Sequence, residues 1–80
     1  MTNFLEPWYA ALRANIGVAV QTNDTTICKM KLYAARKDVG DPDLQGLSIL
    51  VSPISPATEL WIVKRHGEQQ TPDETFDETL

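Results

Sequence analysis

Apolar and polar residues alternate along this chain with two periods, and the switches between them divide it into short elements. Pro7 suits the first turn of a helix, where its missing N–H costs nothing. Trp8, Ala11, Leu12 and Asn15 follow at helical spacing, so a first helix is predicted to begin near Glu6, with Phe4 and Leu5 as apolar flanks. Asn3 as N-cap with Glu6 three residues on is the alternative start. Beyond the break at Gly17, Ile16, Val18 and Val20 alternate with Gly17, Ala19 and Gln21, the pattern of a strand ending near Thr22. Asn23-Asp24-Thr25-Thr26 is rich in N-cap residues and should start a second helix. On it Cys28, Leu32, Ala35 and Val39 form one stripe facing a core, and Lys29, Tyr33, Arg36 and Lys37 take the opposite side. Gly40 fits the position just past the helix, and Asp41-Pro42-Asp43 is a sharp stop.

Residues 47–52 read as a second strand, with Leu47, Ile49 and Val51 on one face and Ser48, Leu50 and Ser52 on the other. Pro53 and Pro56 forbid a central strand and make 53–58 a loop. Residues 59–65 are a third strand: Leu60, Ile62 and Lys64 share one face, Glu59, Trp61, Val63 and Arg65 the other. The element order is αβαββ, an α+β fold. A βαβ unit followed by a C-terminal hairpin would give a three-stranded mixed sheet with two helices. Strand orders 1-2-3 and 1-3-2 both satisfy the hairpin. One sheet face gathers Ile16, Val18, Val20, Leu47, Ile49, Val51, Leu60 and Ile62 under the second helix. The other carries Ala19, Leu50, Trp61 and Val63, too apolar for a solvated face, and needs the first helix (through Trp8 and Leu12), a second copy in a homodimer, or another protein as its cover.

Composition sharpens this outline. Eighty residues suffice for one small domain, expected over residues 1–66, with 67–80 as a disordered acidic tail. All seven Lys and Arg lie in residues 1–67 with six acids, whereas 68–80 hold five acids and no base. The net charge of −4 therefore belongs to the tail. A nearly neutral body weighs against nucleic acid as the partner, since phosphate binding calls for a basic excess. No apolar run approaches the length of a membrane span. No secretory leader is visible, and a lone cysteine, Cys28, cannot form an internal disulfide, so a cytoplasmic setting is expected.

The chemistry that can be searched for is sparse. Cys28 and His66 are too few for a zinc site, so no metal and no cofactor are expected. Cys28 lies on the apolar stripe, where a thiol is inert, and Asp41 and Asp43 read as turn residues. The glycines are scattered singly, which leaves no phosphate-cradling loop, and no catalytic residues are assigned. A small enzyme or ligand binder would need a site shared across a homodimer. Two recognition candidates remain. One is the strand-three face, Trp61, Val63 and Arg65 with Leu50, since aromatic and arginine residues are the usual energetic centres of interfaces. On that reading Trp61→Ala would leave a folded monomer unable to bind. The other is the basic–aromatic helix face, Lys29, Tyr33, Arg36 and Lys37, residue types that engage phosphates and stack on bases.

The string Lys31-Leu32-Tyr33-Ala34-Ala35-Arg36-Lys37, then Gly40-Asp41-Pro42-Asp43-Leu44, Leu47-Ser48-Ile49, and Ser55-Pro56 leading to Leu60-Trp61-Ile62-Val63-Lys64-Arg65, resembles short accessory proteins encoded by bacteriophages. The resemblance covers residues 8–65, omits the tail and transfers no functional residue. Many such proteins bind and inhibit one host enzyme or defence complex. It implies a non-enzymatic protein-interaction module in the bacterial host cytoplasm, with a host protein as partner. A nucleic-acid-binding accessory protein using the basic helix face is the alternative.

Overall fold

The computed structural model describes residues 4–64 and the backbone of 74–77. Helix α1 spans Glu6–Arg13, with proline in its first turn. Strand β1 is Gly17–Gln21. Helix α2, Thr25–Val39, starts at Asp24, whose carboxylate accepts from the backbone N–H groups of Thr26 and Ile27. It ends at Gly40, whose φ of 65° is the left-handed conformation that glycine tolerates best. A 3-10 turn, Pro42–Gly46, leads into β2, Leu47–Val51; β3 is Glu59–Lys64 and β4 is Glu74–Asp77.

The α+β class stands, and the sheet differs from the expected three-stranded mixed one. Its order is β2-β3-β1-β4. β1 and β2 do not pair; β3 lies between them, antiparallel to both. The three strands of the body are thus antiparallel throughout. The reason lies in β3 itself: its four central residues, Leu60 to Val63, are all buried, as a central strand requires. β2 keeps Leu50 and Val51 exposed and takes the edge. The backbone of β4 runs parallel to β1 on the other edge, so Glu74–Asp77 is a strand where composition suggested disorder. The remaining tail residues lie outside the described part.

Both helices pack on one face of the sheet. Trp8, Ala10 and Ala11 of α1 share a single core with Cys28 and Leu32 of α2, Leu44, and the sheet residues Val18, Val20, Leu47, Ile49, Leu60 and Ile62. α1 is therefore not the cover of the second face. Trp8 is fully buried and its indole N–H donates to the Leu32 carbonyl at 2.9 Å, which fixes α1 against α2. The predicted α2 stripe is shorter than expected: Cys28 and Leu32 are buried, Ala35 is half-buried and Val39 is exposed. Tyr33 turns inward instead, half-buried against the core. The cause is Trp8, whose bulk beneath the middle of α2 draws that ring towards it, centroid to centroid 6.0 Å.

Candidate interaction surface

The second sheet face holds a small cluster of Ala19, Trp61 and Val63. Trp61 is 5% exposed and Val63 8%. The Trp61 indole N–H donates to Glu59 Oε2 at 3.3 Å, and Glu59 Oε1 accepts from Gln21 Nε2 at 2.9 Å. Of the four residues expected to form a docking patch, two are buried with the indole N–H satisfied inside the chain, Leu50 alone is exposed, and Arg65 lies outside the described residues. Trp61, Val63 and Leu50 do not form an open contact face.

The basic–aromatic set is also divided. Arg36 is half-buried, its guanidinium 5.0 Å from the centroid of Trp8 and 4.9 Å from that of Tyr33, while Nη1 donates to the Leu47 carbonyl at 3.2 Å. It joins α2 to β2 by stacking and hydrogen bonding, the geometry a planar guanidinium favours. Tyr33 packs inward, so only Lys29 and Lys37 of the four are exposed. That leaves no continuous stripe of basic and aromatic groups for nucleic acid.

What sequence reading missed is the free edge of β2. Ser52 N–H donates to the Glu59 carbonyl at 3.1 Å, which makes 52 and 59 a hydrogen-bonded pair. Hydrogen-bonded and non-bonded pairs alternate in an antiparallel ladder. Ser48 and Leu50 therefore turn their backbone groups to β3, and Leu47, Ile49 and Val51 turn theirs outward. The outward groups of Leu47 are taken: its N–H donates to the Leu44 carbonyl and its carbonyl accepts from Arg36. Pro53 has no N–H to offer beyond. Among the described residues the pairable edge is thus Ile49 and Val51, two donors and two acceptors.

Beside it, α2 runs past β2 in the opposite direction, its first turns meeting Val51 and its later turns Leu47. Between them lies a groove of about 310 Å³ lined by Thr25, Thr26, Lys29, Met30, Tyr33 and Val51. Met30 is 66% exposed and Val51 45%, in positions where a plain helix–sheet contact would hide them. Ile27, Leu50 and Ile54 are exposed as well. The signal available in the sequence was the absence of charge in Leu47–Val51, unusual for an edge strand, because edges are normally protected by charge, proline or bulges.

Among the described residues no group of three or more His, Cys, Asp or Glu side chains is placed to hold a metal ion, and no helix is long and apolar enough to cross a membrane. Cys28 is buried in the core. Among the described residues the phenol of Tyr9 is the group whose titration is shifted; its hydroxyl donates to Asp41 Oδ2 at 2.9 Å. That hydrogen bond, with partial desolvation and the nearby Asp41 and Asp43 charges, holds the phenol above its ordinary pKa of about 10. Asp41 also accepts from the Asp43 N–H, so it ties α1 to the 3-10 turn. No family model, curated protein or solved structure matches the chain.

Proposed function

We propose that this chain is a small non-enzymatic protein-interaction module of the cytoplasm, one that binds and modulates or inhibits a host protein or complex in the manner of the bacteriophage accessory proteins it resembles. The observation that carries the reading is the uncharged, half-open edge of β2, with outward backbone groups at Ile49 and Val51 beside the exposed Met30 and Val51 side chains. Such a patch is costly to leave wet, which supports a contact role for it. Support for the binding role thus moves from the Trp61 face to the β2 edge. The stacking of half-buried Arg36 and the inward turn of Tyr33 favour protein over nucleic acid as the partner.

The test is affinity capture of the tagged full chain from bacterial lysate, followed by reconstitution with the purified captured protein. A stoichiometric complex of about micromolar affinity that changes the partner's activity is the expected result. Retention of nothing beyond a tag-only control, or salt-sensitive recovery of nucleic acid alone, would overturn it.

A further inference from the structure

We propose that the free edge of β2 accepts an extended peptide strand of the partner, one carrying an apolar side chain next to a carboxylate. This rests on the interaction reading above and names the chemistry of the partner. Strand addition supplies affinity through main-chain hydrogen bonds and specificity through pockets for alternate side chains. Both parts are present. The outward N–H and carbonyl of Ile49 and Val51 offer a ladder two residues long, closed at one end by the Arg36–Leu47 bond and at the other by Pro53. A strand residue paired with Val51 shares that residue's sheet face, so its side chain meets the groove walled by Met30 and Tyr33. About 310 Å³ admits a leucine- or phenylalanine-sized group.

Charge selects the neighbour of that group. Lys29 is the one charged residue of the groove lining, and α2 as a whole carries four bases and one acid. The Asp24 carboxylate is occupied in capping Thr26 and Ile27. An incoming carboxylate therefore meets Lys29 and no acid in the groove lining. A second copy of this chain fits less well: pairing two β2 edges about Leu50 would bring Lys29 of each copy towards the other, a like-charge approach. The sheet already accommodates a strand of the required composition, because Glu74-Thr75-Phe76-Asp77 lies as β4 along the opposite edge.

The probe is an acetylated synthetic peptide of residues 71–80, titrated into the full-length isotope-labelled protein and followed by amide chemical shifts. Shifts at Ile49, Val51 and Met30, saturating with a Kd of order 0.1 mM, are expected. The same peptide with lysine at every acidic position should bind at least about tenfold more weakly. Val51→Pro removes the outward N–H along with the valine side chain, and Val51→Glu adds a charge that repels the peptide's acids; each should keep the circular dichroism spectrum and weaken binding at least about tenfold. No shift at those amides up to about 1 mM, shifts confined to residues 18–21, or equal binding of the lysine peptide would overturn the proposal. So would a protein that proves to be a dimer paired through β2. Lysate capture that survives Val51→Pro would sink this site and leave the interaction role standing; loss of capture and peptide binding in the wild-type chain would sink both.

Discussion

Arg36 holds its guanidinium between Trp8 and Tyr33 and spends one N–H on the Leu47 carbonyl, so its charge belongs to the architecture. Lysine keeps the charge and loses the planar stack and the fork. Arg36→Lys should therefore lower stability by about 1–2 kcal/mol in urea unfolding, with Leu47's carbonyl freed. Gly17 has a different constraint. A Cβ at that position would lie 2.2 Å from the Ile62 carbonyl oxygen and 2.8 Å from Val63 Cα, both backbone atoms that cannot swing aside. Gly17→Ala should push β1 from β3 and cost about 1–3 kcal/mol or more, read from the same unfolding curves. Tyr9 gives a pH signature. A phenol whose pKa is raised by folding contributes stability that is whole below its unfolded value and fades as pH climbs through the raised one. Thermal unfolding followed from about pH 8 to about pH 11 should show a falling midpoint above about pH 10, and Tyr9→Phe should flatten that fall.

The turn between β2 and β3 depends on Ser52. Its side chain is fully buried, and its Oγ accepts from the N–H groups of Ile54 and Ser55 at 3.2 Å each. Ser52→Ala would strand both donors and should cost about 1–3 kcal/mol, measured by thermal or urea unfolding. Element positions were legible where local chemistry is strong: the Asp24 cap, Gly40 past α2, the Asp41–Pro42–Asp43 stop and the alternation in β1, β2 and β3 all leave a mark in neighbouring residues. Strand order was not legible, because both orders satisfy the same hairpin, and the choice is made by burial on both sides of β3, a property of its long-range partners. The outer face of α2 misled for a similar reason. Its residues alternate as a solvated face should, yet Trp8 arrives from α1 and draws in Tyr33 and Arg36.

At the scale of the whole molecule, periodicity correctly separated two apolar sheet faces but could not place the helices, since an amphipathic helix fits either one. Both helices lie on the face opposite Trp61, and Trp61 and Val63 are nonetheless only 5% and 8% exposed, so this cluster is packing and not a contact face. Trp61→Ala should accordingly cost about 3–5 kcal/mol and leave much of the chain unfolded at room temperature, visible as lost tryptophan-region circular dichroism and a collapsed melting transition. A folded, stable variant would make Trp61 a contact residue and not a packing one. The candidate site escaped sequence reading because main-chain groups carry it, and every residue type has those. The sheet ends in two margins, β2 on one side and β4 on the other. A guest laid on β2 becomes the new margin with its own outer groups open, so growth beyond one guest is limited by the guest's length and charge and not by the strand order.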